Sequence, residues 1–360
     1  MKRTDGMARR EFLKLVAATG ALSLPVFRHS EVLGANWPTK PIRMTVQYAV
    51  GGGTDIFCRG FAHAMEEPLG GTIEVGNMPG SVGAIATDFI LKKPADGYSW
   101  LAASNFSKFL RPMGYHKSVP YKDWQWFAIA ISYMGWAVKP ESPFKTMADV
   151  IDASKKKPVT MSHSGVGGIW HEGDGLLARA AGVKFNYVPY KGGAPAVLAA
   201  LQGEVDVASC GIHEQIEFLR TGKMRNLAIF LEEPMTVDGI TFQPITKYVP
   251  GAKPFTPFTA DATIGLRRET PLEILKAVHK AYLIAAKNLR FAEVLTKNVG
   301  SPQVLNPLES DKRAAFKECV TATIFEELGI AKIKRSDLGL PSPEEFEKWW
   351  PPKDYKPRLT

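Results

Sequence analysis

Residues 42–71 read IRMTVQYAVGGGTDIFCRGFAHAMEEPLGG. The stretch opens on a β-rich run, Ile42 to Val50, and breaks at Gly51-Gly52-Gly53-Thr54-Asp55. Apolar residues then recur every three or four positions, at Ile56, Phe57, Phe61, Ala64, Met65 and Leu69. That spacing predicts a helix with one apolar face, and Gly70-Gly71 supplies its stop. A strand, a glycine loop and a helix in that order begin a parallel βαβ unit.

The alternation continues outward. Thr72 to Val75 reads as a short strand, Asn77-Met78-Pro79-Gly80 as a turn, Ala84 to Leu91 as a helix and Tyr98 to Ala103 as a strand. The chain changes character near Pro140. A helical unit from Pro143 to Ser154 leads to a strand at Val159–Ser162 and a second glycine loop, Ser164-Gly165-Val166-Gly167-Gly168. A helix from Trp170 to Ala181 follows, then a strand near Phe185–Val188. Ala194–Leu201, Val205–Ala208 and Leu227–Phe230 extend the pattern. Helices return around Leu272–Ala286, Phe291–Leu295 and Lys312–Leu328, and these are read as packing back on the first lobe. The fold class is α/β with two lobes. Residues 36–140 plus 261–360 form the first and residues 141–260 the second, with crossings near 135–141 and 255–265.

Length and composition agree. A chain of 360 residues is long for one core and comfortable for two lobes. The formal charge is +9, of which residues 1–35 carry +3, leaving a mild +6 that suits an anionic ligand. No basic stripe is interleaved with aromatics, so nucleic acid is not an expected partner. Cys58, Cys210 and Cys319 are far apart and form no Cys-x-x-Cys; they read as small buried residues, with a Cys58–Cys210 pair unsupported.

The N-terminus holds Arg9-Arg10-Glu11-Phe12-Leu13-Lys14 before an apolar run from Leu15 to Phe27. As a helix that run reaches roughly 20 Å, too short to span a bilayer and the size of a signal core. The paired arginines resemble a twin-arginine export signal. Residues 1–35 are therefore expected to be a signal peptide, cut between Gly34 and Trp37, and the mature protein to be periplasmic.

The chemistry is expected in the two glycine loops. Each lies between a strand and a helix, where glycine lets a ligand approach backbone N–H groups and the helix start offers unpaired donors and partial positive charge. Thr54 or Asp55 can cap the first helix. His171, in the first turn of the second, reads as a helix-start polar residue or a ligand contact. A dinucleotide fingerprint fails because Ile56 stands where its third glycine belongs, and no phosphate-binding P-loop occurs. His171-Glu172 lacks the second histidine of a zinc protease, and no nucleophile elbow exists. Enzyme activity, a metal site and a cofactor are therefore not expected.

Several blocks carry a resemblance. Gly51-Gly52-Gly53-Thr54-Asp55, Asn77-Met78-Pro79-Gly80-Ser81-Val82-Gly83 and Ala95-Asp96-Gly97-Tyr98 resemble the N-terminal half of the Bug family, the substrate-binding proteins of tripartite tricarboxylate transporters. Val188-Pro189-Tyr190-Lys191-Gly192-Gly193-Ala194-Pro195-Ala196 is similar to that family's most recognisable block. Gly203-Glu204-Val205-Asp206, Gly222-Lys223-Met224-Arg225-Asn226-Leu227-Ala228 and Thr270-Pro271-Leu272-Glu273 follow in the family's order. Val50 and Gln47 depart from it where the family often has proline, as does Pro250–Asp261.

The resemblance implies a type II periplasmic-binding-protein fold with two hinge crossings. It implies a monomer that captures a small organic carboxylate, di- or tricarboxylate or aromatic acid, for the permease subunits of a transporter. A sensing protein that docks on a receptor, and last an exported hydrolase, are the alternatives. Carried over, the ligand residues are Tyr48, Gly52, Gly53, Thr54 and Asp55 from lobe one, and Ser164, Gly165, Gly167, Gly168 and Asp206 from lobe two. Ser104 and Asn105 would form the floor. Trp136 and Trp170 read as core packing or as an aromatic wall.

Replacing both Arg9 and Arg10 by Lys is expected to leave the precursor in the cytoplasm, scored by fractionation. Normal export of the double variant would remove the twin-arginine reading.

Overall fold

The computed structural model describes residues 37–359. The expected signal peptide, residues 1–35, lies outside them. Strand β1 (Ile42–Val46) is followed by helix α1 (Gly53–Leu69), β2 (Ile73–Asn77), α2 (Ala84–Leu91) and β3 (Ser99–Ser104). β2 and β3 flank β1, both parallel to it. Phe57, Phe61, Met65 and Leu69 of α1 are buried on one face. Burying a side chain of that size stabilises by about 1.5–3 kcal/mol. The helix stops at Gly70, whose φ of 68° is left-handed and favours glycine.

The chain leaves this lobe in a strand that the sequence reading did not anticipate. β4 (Trp124–Val138) is 15 residues long and nearly all buried, an extent of about 50 Å. Its residues Met134–Val138 belong to the second lobe. There follow α3 (Met147–Ser154), β5 (Thr160–His163), α4 (Ile169–Ala181) and β6 (Asn186–Pro189). Then come α5 (Gly193–Gln202), β7 (Val207–Gly211), α6 (Ile212–Arg220) and β8 (Arg225–Ile229). β5 pairs in parallel with β6 and β7, while β7 and β8 run antiparallel to β4. A hairpin of β9 (Met235–Val237) and β10 (Ile240–Phe242) stands apart.

The chain returns through the turns at Pro250–Phe255 into β11 (Thr259–Arg267). β11 inserts between β3 and β4, antiparallel to both. The result is one continuous path, β2-β1-β3-β11-β4-β7-β5-β6. Helices α7 (Leu272–Ala285) and α8 (Leu289–Lys297), the short β12 (Gly300–Pro302) and α9 (Pro307–Glu327) complete the fold. Phe61 of α1 meets Tyr282 of α7 and Phe291 of α8 in the core of lobe one. α9 instead reaches across to lobe two, where Thr321 donates to Glu172 of α4 at 2.9 Å.

Partners of β4 change between Tyr133, paired with Thr259, and Met134, paired with Gly211. The first crossing thus falls inside a strand, at Tyr133–Met134, just before the crossing expected near 135–141. Cys58, Cys210 and Cys319 are all buried and free. Trp136 is fully buried in lobe two and donates its indole N–H to Asp174 at 2.8 Å.

Asp174 also accepts from Ser209 at 2.6 Å, but its second oxygen has no partner. Burial raises its carboxyl from 3.8 to about 7, with the Ser209 and Trp136 hydrogen bonds opposing. The folded state then holds a proton that the unfolded chain releases above pH 3.8. The stability this gives is complete below that pH and is lost as pH rises through about 7. Asp174→Asn should keep the Trp136 and Ser209 bonds and lose the pH dependence. Between pH 5 and 8 the wild type is expected to lose on the order of 2 kcal/mol relative to Asp174→Asn, measured by urea unfolding. Parallel profiles for the two proteins would refute this.

Candidate functional site

Four helices begin at the carboxyl ends of strands and face one another across the cleft: α1 at Gly53, α4 at Ile169, α5 at Gly193 and α6 at Ile212. Parallel strands deliver helix N-termini to one edge of a sheet, which is where open α/β folds bind ligands. A cavity of about 30 Å³ lies between them. Tyr48, Gly52, Gly53, Thr54, Ser104 and Ser164 line it, all expected from the sequence. A second cavity of about 170 Å³ opens beside it, shares Tyr48 and Ser164, and is also lined by Gly165, Tyr115, Tyr190 and Lys191.

Other expected residues support the site from behind. Asp55 accepts from Gly51 N–H at 3.1 Å, from Asn77 at 2.9 Å and from Arg59 at 2.6 Å. It thus braces the first loop and occupies Arg59. Asn105 is fully buried under the floor. It donates to Ser104 and accepts from Asp261 N–H and Lys317. Asn105, Phe106 and Ser107 all have φ between 52° and 58°, a left-handed run that costs energy without glycine. These hydrogen bonds hold it in place.

The second loop differs from expectation. His163 Nδ1 accepts from Gly165 N–H at 3.2 Å, and His171 Nδ1 from Gly167 N–H at 2.9 Å. Gly168 N–H goes to Gly165 O. The N–H groups of Gly165, Gly167 and Gly168 are therefore satisfied internally, and Ser164 is the loop residue that lines the first cavity. His171 turns back under the loop, stacked on His163 with ring centroids 4.6 Å apart. Burial lowers His171 to about 4, and burial with the neighbouring His171 lowers His163 to about 3. Both rings are neutral at ordinary pH and serve as hydrogen-bond acceptors.

Asp206 does not join the site. It precedes β7 and binds Thr160, the first residue of β5, accepting from its N–H at 2.9 Å and its hydroxyl at 2.5 Å. That is the amino end of the strands, opposite the helix starts. Its role is to tie two parallel strands together.

Among the cavity residues that escaped the sequence reading are the ionisable ones, His213, Glu214 and Asp261. The signal was faint: one glycine, Gly211, before a helix start, where the reading looked for glycine clusters. Trp170 lines the cavity too, whereas Trp136 does not. Glu214 Oε2 accepts from Gly211 N–H at 2.9 Å. Its Oε1 reaches across the cleft to Gly53 N–H at 3.4 Å. A Cβ on Gly53 would lie 2.0 Å from His213 Nε2, so lobe two touches the bare backbone of lobe one.

Beneath the floor lies a buried charge network. Asp261 pairs with Lys317 and with Arg313 at 3.1 Å, and Lys108 pairs with Glu172 at 2.9 Å. Burial pushes the Asp261 carboxyl up, but Lys317 and Arg313 outweigh it and hold it below its usual range. Burial, opposed by Asp261, lowers Lys317 to about 8. Within this network three cations face two carboxylates, and Glu214, in the cavity above, is a third carboxylate that balances the remaining positive charge. Among the described residues, no cluster of His, Cys, Asp and Glu is placed to hold a metal ion, and no helix is long and apolar enough to cross a membrane.

The Tripartite tricarboxylate transporter family receptor model, TctC, matches residues 57–329. The "UPF0065 protein in gbd 5'region" of Cupriavidus necator is 28% identical over 337 residues, covering 91% of this chain and 100% of that protein. The periplasmic binding protein BugD superposes with a TM-score of 0.74 at 22% identity, covering 82% of this chain and 99% of its own. An R. palustris protein solved with adipate gives 0.73 at 24% identity with the same coverage.

Gly53→Ala is expected to hold the lobes apart, because the added methyl group meets the His213 ring. Small-angle scattering should give a larger radius of gyration than wild type, and His213→Ala in the same chain should reverse it. Equal radii for wild type and Gly53→Ala would show that this approach does not limit closure.

Proposed function

The chain belongs to the tripartite tricarboxylate transporter receptor family, and from that premise we propose that it captures a small organic carboxylate and delivers it to the transporter's membrane permease. It is a solute-binding protein and not an enzyme. The observation that carries the ligand class is the convergence of helix starts on one polar cavity. Each helix start is equivalent to about half a positive charge, and the cations paired with Asp261 and Glu172 offset the protein's own carboxylates around the cavity. A carboxylate is the small group that matches such donors through charge-assisted hydrogen bonds. Adipate in the R. palustris neighbour is a ligand of the same kind.

The carboxylate is met by neutral donors in this reading: the start of α1, Thr54, Ser104, Ser164 and the Tyr48 hydroxyl. The Tyr48 hydroxyl is buried without a partner, and burial holds it in its protonated, donating form. Arg59 is committed to Asp55 and supplies no clamp. The lobes open and close about the β4 crossing and the return at Thr259. The protein works as a monomer in the periplasm, exported by the twin-arginine route.

A thermal-shift screen of small carboxylates against matched neutral amides and sugars tests the reading. A true ligand at one hundred times its Kd stabilises by about 2.7 kcal/mol, a shift of several degrees. The shift should survive chelation of metal ions. Gly53→Ala should weaken the same ligand at least tenfold, about 1.4 kcal/mol. A panel in which only uncharged compounds raise the melting temperature would overturn the proposal.

A further inference from the structure

The cavity already contains a carboxylate of the protein's own. Glu214 sits in the first turn of α6 with its side chain 3% exposed. Its 2.9 Å bond to Gly211 N–H anchors it within lobe two, while the longer 3.4 Å contact to Gly53 N–H spans the cleft. It also fills the space over Gly193, where a Cβ would lie 1.9 Å from Oε1. One carboxylate thus sits against the starts of α1, α5 and α6 together. That leaves about 30 Å³, room for little more than a water or two.

Two polar side chains there are buried with no hydrogen bond. Neither ring nitrogen of His213 makes a hydrogen bond, although its side chain is 2% exposed and its Nε2 lies 3.5 Å from Glu214 Oε1, and the Tyr48 hydroxyl makes none either. Both line the cavity. When the lobes part, the bond to Gly211 keeps Glu214 in lobe two, facing whatever enters. One incoming carboxylate can take the donors of Thr54, Ser164 and Tyr48. A second, in the same enclosed space, would lie beside Glu214, where like charges repel strongly because little water screens them.

We propose that Glu214 is a specificity-determining residue that holds one anion position itself, so that the site takes a monocarboxylate in preference to a dicarboxylate. The inference rests on the carboxylate reading above and narrows it. His213 then faces the uncharged remainder of the ligand, whose bulk extends into the 170 Å³ cavity beside Tyr48 and Ser164. Among the described residues, Lys191 is the basic one lining that outer cavity, and it could offer a second charge a different place.

Calorimetric titration of chain-matched acids tests this: butanoate against succinate, hexanoate against adipate, with benzoate as a bulky monocarboxylate. The wild type should bind the monocarboxylate of each pair at least about tenfold more tightly. Glu214→Gln keeps an acceptor for Gly211 N–H and should shift the ratio at least about tenfold toward the dicarboxylate. Glu214→Ala should shift it in the same direction, and melting curves confirm folding of both. A wild type that prefers succinate or adipate overturns the proposal, as does a ratio unchanged in the variants. A preference for adipate that disappears in Lys191→Ala also overturns it, by placing the second charge at the outer cavity. Those outcomes leave the carboxylate reading intact. If no acid of either class binds the wild type or the variants, the carboxylate reading fails, and the proposal falls with it.

Discussion

Strand β4 is shared by both lobes, and most of the molecule's behaviour follows from that. Residues Trp124–Tyr133 are locked against β11, and Met134–Val138 against β7 and β8. A hydrogen-bonded strand resists bending within each half, so the change of partners is where the pairing leaves the strand freest to bend. β11 returns at the same level, with Thr259 opposite Tyr133. Two strands side by side define an axis, and the cleft lies on one side of it. α9 adds a further strap, since it belongs to the C-terminal segment yet touches Glu172 of lobe two.

The cleft gains its chemistry from the parallel topology. Each βα step in either lobe brings another helix start to the same rim, and four converge on one cavity. Their N–H groups do not all serve a ligand. His163, His171 and Asp55 consume several within the loops, and this makes the loops rigid. Lys108, Lys317 and the partly exposed Arg313 place charge below the cavity without lining it, so the donors that line it are neutral groups set beside the Glu214 carboxylate.

The strand–loop–helix units were legible because their signals are local. Phe57, Phe61, Met65 and Leu69 repeat at helical spacing, and the glycine clusters mark the turns. β4 was not legible for an equally local reason. WQWFAIAISYMGWAV is buried on both faces, so it carries neither a two-residue nor a 3.6-residue period. β11, TADATIGLR, is short on large side chains and lies where a crossing was expected. Asp206 was misplaced because a sequence motif does not say which end of a strand a residue occupies; its pairing with Thr160 settles that.

The sequence by itself determined the α/β class, the family, and the first glycine loop, Gly52 to Thr54, that faces the cavity, because strand, glycine and helix patterns act over a few neighbours. Only the tertiary structure decided what those residues face. His213 and Glu214 lie some 160 residues beyond Gly53 and reach it through the closure of two lobes. Whether Gly165 and Gly167 offer their N–H groups outward depended on His163 and His171 folding under them. Contacts of that kind arise from packing in three dimensions, and no local spacing records them.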